Sequence, residues 1–288
     1  MLPQQVNLVL YHGSGCPDGF AARCVAEILL GSKAQYVACS HGDKALPDVT
    51  GKYVAILDFS FPAHILQSMI GVTEGLIVID HHYTAEKDLA GIPDQHKIFD
   101  MDQSGAVLAW KYFFPGQPVP LLLRYVQDRD LWTWKLADSM EICAGLDIHP
   151  QTADRWIPMI RDNERVGALK GPGSIVVAYR NKLLDGIIAK SAERVICGVP
   201  TRVVNSNGGE LVSFLGHRML EMFPQVNMAM MYVHEPDKKR YMVSLRSRDG
   251  FDCSVVAKRF VGGGGHRQAC GFHLEHPYVF VDDERFRN

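Results

Sequence analysis

The chain has 288 residues, 47% of them hydrophobic and 22% charged, with 30 Lys plus Arg against 32 Asp plus Glu. At roughly 150 residues per domain this is about two domains of an ordinary folded soluble protein, which excludes a disordered, collagen-like or coiled-coil chain. The formal net charge of -2 argues against coating long nucleic acid, which calls for a basic excess; a nucleic-acid substrate would be short or held by a local patch.

The opening MLPQQVNLVLYHG has no basic start and too short an apolar run for a signal peptide. No stretch nears 18 consecutive apolar residues, so no membrane span is expected. Seven cysteines, an odd count without a CxxC pair, predict a reduced, cytoplasmic protein. Val6 to Tyr11 reads as a strand. Pro17 to Leu30 reads as a helix, with Pro in its first turn and Gly31 past its end. Tyr53 to Leu57 and Leu76 to Ile79 are apolar strands, with a helix over Phe61 to Ile70 between them. Ser104 to Phe114 and Leu121 to Gln127 read as helices, and Asp138 to Asn163 as mainly helical. Strands alternating with helices predict a largely parallel α/β sheet.

Gly171-Pro172-Gly173 reads as a breaker. Ile175 to Val195 then has helical periodicity and reads as a linking helix. Further on, Arg202 to Val204, Met228 to Val233 and Tyr241 to Leu245 read as strands, and Glu210 to Phe223 and Cys253 to Phe260 as helices. Lys238-Lys239-Arg240 reads as a solvated hairpin turn. The expected boundaries are 1–170 for the first domain, 171–194 for the linker and 195–288 for a smaller α/β domain.

Three clusters directly follow predicted strands: His12 with Cys16 and Asp18, then Asp58, then Asp80-His81-His82. Each alone has a plainer reading, as a capping or core histidine, a helix cap or a polar loop. In an open parallel sheet, however, the crevice beyond the carboxyl ends of the strands binds ligands. The three clusters should therefore converge there. Carboxylates at close quarters repel, and a divalent cation removes that penalty. Mixed Asp and His donors suit Mn²⁺ or a similar borderline metal. One Asp can bridge two ions about 4 Å apart, with a bridging water as nucleophile.

Asp80-His81-His82 after an apolar strand resembles the DHH phosphoesterase superfamily. His12-Gly-Ser-Gly-Cys16-Pro-Asp18-Gly19 matches the family's first motif in spacing, Asp58 its second, and Asp128 with Trp132 its fourth. Gly262 to His266, after Ser244-Leu-Arg246-Ser-Arg248, resembles the DHH-associated C-terminal domain. The resemblance implies a parallel-sheet metal-binding domain, a linker helix and a substrate-binding domain, with the active site in the cleft between domains. It implies that His12, Cys16 and Asp58 hold a first metal. Asp18, Asp58, His81 and Asp128 would hold a second, with Asp58 bridging. Asp80 would orient the histidines or lie close to the first metal, and His82 would contact phosphate or protonate the leaving oxygen. Arg246, Arg248, Gly263, Gly264, Gly265 and His266 would grip the substrate.

Cys16 stands where the family has Asp, which opens the site to Zn²⁺ or Fe²⁺ beside Mn²⁺ or Mg²⁺. Asp130 reads as a helper that fixes Arg129 or caps a helix. Trp132 and Trp134 read as packing, and His41, His64 and His96 as surface-loop residues. The expected reaction is metal-dependent hydrolysis of a short oligonucleotide or phosphorylated nucleotide. A pyrophosphatase, a single-strand exonuclease and an inactive nucleotide-binding protein are the alternatives. The oligomeric state stays open, with a dimer among the options.

Overall fold

The computed structural model describes residues 1–13, 15–40, 46–206, 208–209 and 211–275. His41 and Glu210, named above, and Ser14 within the first motif lie outside them. The chain forms two units, Met1–Val177 and Ala178–Asn288.

The first unit is built on five parallel strands: β1 (Leu8–His12), β2 (Gln35–Cys39), β3 (Tyr53–Leu57), β4 (Gly75–Asp80) and β5 (Lys97–Phe99). Their order is β2-β1-β3-β4-β5. Successive residues of the inner strands point to opposite faces, and both faces are covered. Val9, Ala55, Leu57, Ile77 and Ile79 pack on one side. Leu8, Leu10, Val54, Ile56, Leu76 and Val78 pack on the other. Burial on both faces is why these strands are continuously apolar rather than alternating.

Helices α1 (Pro17–Leu30), α4 (Gly105–Phe113) and α5 (Leu121–Asp130) share the first of these cores. Helix α2 (Ala63–Ile70) packs on the second, and α3 (Tyr83–Asp88) follows β4. Helices α6 (Ser139–Asp147), α7 (Ala153–Arg161) and α8 (Asn163–Ala168) complete the unit.

The breaker expected at Gly171-Pro172-Gly173 is absent, because these residues lie inside α9 (Lys170–Ile188). Pro172 is the third residue of that helix, where a backbone N–H has no intrahelical partner to lose. Gly173 is there for closeness: a Cβ would sit 1.7 Å from the Glu141 carbonyl oxygen of α6. Its N–H still donates to the Leu169 carbonyl at 3.0 Å.

The second unit holds a mixed six-stranded sheet. Its strands are β6 (Ala192–Ile196), β7 (Val199–Asn205), β8 (Met228–Glu235), β9 (Arg240–Ser247), β10 (Gly264–Gly265) and β11 (Ala269–Leu274). The order is β10-β11-β9-β8-β7-β6, with β7 and β8 parallel. Met228, Met230, Val243, Leu245 and Phe272 pack with the short α11 (Ser254–Ala257). Ala229 and Met231 face the other way, onto α10 (Leu211–Met222) and the end of α9. The helix expected from Cys253 to Phe260 shrinks to the four residues of α11. The Lys238–Arg240 turn is a hairpin, with Glu235 pairing Lys238 at 2.9 Å and Arg240 at 2.8 Å. Among the described residues no helix is long and apolar enough to cross a membrane.

Candidate metal centre

Strand register brings the acidic clusters level. Tyr11 is paired with Leu57, and Leu57 with Ile79. The next residues, His12, Asp58 and Asp80, therefore leave the sheet side by side. In the order β2-β1-β3 the chain reverses direction across the sheet between β1 and β3, the place where ligands bind in doubly wound folds.

Asp58 is the hub. It is 1% exposed and its backbone is left-handed, φ 54. Its Oδ2 lies 3.5 Å from His12 Nδ1 and 3.4 Å from Cys16 Sγ. Its Oδ1 lies 3.1 Å from His81 Nε2. His81 Nε2 is in turn 3.8 Å from Asp18 Oδ2 and 3.4 Å from Asp130 Oδ2.

Cys16 caps α1, its sulfur accepting the Gly19 N–H at 3.5 Å. Gly19 lets α1 start against the end of β1: a Cβ there would sit 2.3 Å from the His12 carbonyl oxygen. Asp18 accepts the N–H groups of Gly105 at 2.6 Å and Ala106 at 3.1 Å, so it also anchors the N-terminus of α4.

Asp80 holds its neighbours in place. Its Oδ2 accepts the Ser60 hydroxyl at 2.7 Å. Its Oδ1 accepts the His81 N–H at 2.8 Å and the His82 ring Nδ1–H at 2.6 Å. The ring of His82 is thereby fixed with Nε2 left over.

Asp128 is the residue the structure places elsewhere. Its carboxylate accepts the backbone N–H of Lys135 at 2.8 Å and of Leu136 at 3.0 Å, together with the Thr133 hydroxyl. These bonds hold a segment in which Trp132, Trp134 and Asp138 are left-handed, at φ 56, 50 and 58. Bulky residues avoid that region unless their surroundings impose it. Asp130 takes the place beside Asp18 and His81. Two residues along a helix is about 200° of rotation, so Asp128 and Asp130 point to opposite sides.

The charge state of the cluster shows the strain of crowded carboxylates. Burial and the neighbouring Asp58 charge push Asp18 well above the usual carboxylate range. The same two causes raise Asp130. Burial opposes the charge on Asp58 too, but His12 and His81 hold it below the usual range. Burial also opposes the imidazolium of His81, yet Asp58, Asp130 and Asp18 outweigh it and hold the ring at about 9. Burial and Asp58 push the Cys16 thiol up. Protons are thus retained where a divalent cation would otherwise supply the positive charge. Three donor groups could hold one: His12, Cys16 and Asp58; Asp18, His81 and Asp130; and Asp58, Asp80, His81 and His82. Oxygen, imidazole and thiol donors in one place fit a borderline divalent metal.

In the second unit, Arg246, Gly264 and Gly265 line a cleft of about 410 Å³, with Ser244, Cys270 and His273. Arg246 also donates to the Leu245 carbonyl and the Ser213 hydroxyl, each at 2.8 Å. Arg248, Gly263 and His266 are not among the lining residues. The Arg248 guanidinium donates to the carbonyls of Leu220, Phe223 and Val226, around the end of α10. His266 opens the turn into β11, its N–H donating to the Ala269 carbonyl at 2.8 Å.

Comparison with known proteins agrees with this architecture. The family model of the DHHA1 domain matches residues 187–283. The uncharacterized protein R106 of Acanthamoeba polyphaga mimivirus is 33% identical over 303 residues, covering 97% of this chain and 71% of that protein. Two solved structures share the fold. One is the pGpG-specific phosphodiesterase PggH from Vibrio cholerae, with TM-score 0.55 and 13% identity over 95% of each chain. The other is exonuclease RecJ bound to manganese, with TM-score 0.53 and 16% identity over 97% of this chain and 88% of that one. Motifs, site geometry, fold and relatives agree: the chain belongs to the DHH superfamily and carries its C-terminal DHHA1 domain.

Proposed function

We propose that this chain is a metal-dependent phosphoesterase that hydrolyses short oligonucleotides or phosphorylated nucleotides. The observation that carries the reading is Asp58, whose two carboxylate oxygens face different partners: His12 and Cys16 on one side, His81 on the other. His12, Cys16 and Asp58 would hold one ion, and Asp18, Asp58, His81 and Asp130 another. Manganese suits these donors, and the RecJ structure of similar fold is described as bound to it. Bound there, such ions lower the pKa of water and screen the charge of a phosphoester.

The chain's own residues do the rest. His82, fixed by Asp80 through Nδ1, has Nε2 to give a proton to the leaving oxygen. Arg246 and the Gly264–Gly265 backbone offer the second unit's cleft for a phosphate. Arg248 has less part in this than its motif suggests, because its guanidinium is engaged by backbone carbonyls. A short substrate fits the net charge of -2, and the structural neighbour PggH acts, by its name, on pGpG.

The test is one hydrolysis panel in Mn²⁺ holding a labelled diribonucleotide, a longer RNA, 3′-phosphoadenosine 5′-phosphate, cyclic dinucleotides and pyrophosphate. Fast turnover of a short nucleotide, with slow turnover of long RNA and pyrophosphate, is expected. Metal-loaded protein that turns over none of them would sink the reading, and turnover of pyrophosphate alone would reassign it.

A further inference from the structure

The second unit contains a pair of sulfurs that the hydrolytic site does not use. Cys270 Sγ donates to Cys253 Sγ across 3.1 Å, and both thiols are free. Cys253 is fully buried at the start of α11, and Cys270, on β11, is 6% exposed and packs in the same core, with its residue forming part of the wall of the cleft that holds Arg246. The two backbones are already tied together. Cys253 N–H donates to the Arg267 carbonyl at 2.8 Å, and Cys270 is paired with Leu245 and Gly265. A disulfide has its sulfurs about 2.05 Å apart. Closing this pair therefore asks the sulfurs to move by roughly 1 Å while the strand and the helix start stay in place.

The electrostatics favour reaction. The hydrogen bond from Cys270 pulls the Cys253 thiol below its ordinary value against its burial, with Ser247 and the Arg246 guanidinium acting in the same direction, while the same bond and burial push Cys270 up. The pair thus ionises once, with the remaining proton held between the two sulfurs. Low-pKa thiols beside a cation are the ones that oxidise.

We propose that Cys253 and Cys270 form a redox-active dithiol that a small peroxide closes to a disulfide. Cys253, the ionised sulfur, attacks one peroxide oxygen. An S–O bond forms, the O–O bond breaks and hydroxide leaves. Cys270 then attacks the sulfenic sulfur. The S–S bond forms, the S–O bond breaks, and the oxygen leaves with the Cys270 proton as water. Counting the proton released when the pair first ionised, two thiols and one hydrogen peroxide give one disulfide and two waters. Closure ties the start of α11 to β11 one residue from the Ala269–Arg246 pairing of β11 and β9. The pair uses none of the residues of the metal centre, and its oxidation needs no phosphoester substrate.

The test is differential alkylation of the reduced, full-length native protein after a few-fold excess of hydrogen peroxide. The protein is then denatured, blocked with N-ethylmaleimide and digested. The expected result is a peptide joined through Cys253 and Cys270, lighter by two hydrogens, while the other five cysteines are alkylated. Dithiothreitol should reverse it. Protein oxidised after unfolding should show no preference for this pair, and C270S should lose the cross-link. The wild-type labelling pattern decides alone should that variant fail to fold. Full alkylation of Cys253 and Cys270 after native oxidation would overturn the proposal, as would equal cross-linking among all cysteines.

Discussion

Asp128 and Asp130 stand two residues apart and have opposite duties, so their variants should fail in opposite ways. Asp130→Ala should lose bound manganese, measured by elemental analysis, and with it turnover. Asp128→Ala should keep its metal and lose roughly 3 kcal/mol of stability, the range for hydrogen bonds to a charged acceptor, read by denaturant melts. Metal loss in the Asp128 variant alone would reverse the assignment. Asp80→Asn should keep the fold and lower metal affinity or activity about 10–100-fold, as removing the partner that orients a histidine does. Cobalt-loaded protein should show sulfur-to-metal charge-transfer absorption that Cys16→Ser abolishes. An unchanged spectrum would remove the thiol from the ligand set. At this scale His12, Cys16, Asp18, Asp58 and His81 converge from positions the motifs named, because each sits at a strand end or in the turn after it. The choice between two acids on one helix was not legible, since it depends on which face the loop after α5 turns toward its own carboxylate.

Helix α10 shows how one element draws on residues far along the chain. Arg248 satisfies carbonyls at its C-terminal end, where a cation also meets the helix dipole. Arg248→Ala should cost the protein about 1–2 kcal/mol. A lost substrate affinity with unchanged stability would instead return Arg248 to the cleft. His217, on the same helix, is held down at about 4 by burial and by the nearby Arg246. An unfolded histidine titrates near 6.5, so between about 6.5 and 4 the unfolded chain binds the extra proton. Stability should therefore fall as pH drops through that window, and His217→Gln should flatten the fall. A wild-type melt independent of pH there would contradict the burial of this ring. Long apolar strands and capped helices could be read directly. The strands β2, β5, β6, β10 and β11 could not, and the helix read from Ile175 to Val195 ends at Ile188, its last residues being the start of β6. β5 has three residues, β2 is an edge strand with exposed positions, and β11 carries glycine and histidine among its buried residues. The Gly-Pro-Gly segment misled because its meaning is tertiary: Gly173 faces the backbone of α6, a contact no local rule contains.

Across the whole chain, chelation should lower the melting temperature, because Asp18, Asp58, Asp80 and Asp130 then face one another without a cation. Restoring manganese at 100 times its dissociation constant should return about 2.7 kcal/mol. A melt indifferent to chelator would mean that the cluster is satisfied by protons alone. The order of motifs along the sequence made the two-unit plan legible, whereas substrate length depends on surfaces that a motif does not encode. One local feature reaches furthest. Asp58 bridges the cluster from a left-handed backbone, a conformation that Asn and Gly adopt readily and branched residues resist. A lineage that lost the carboxylate but kept the fold would pass through Asn or Gly at this position more easily than through Val, Ile or Thr. The residue at 58 in any descendant gene is therefore a marker of a dismantled acidic cluster that could be scored before a single protein is purified.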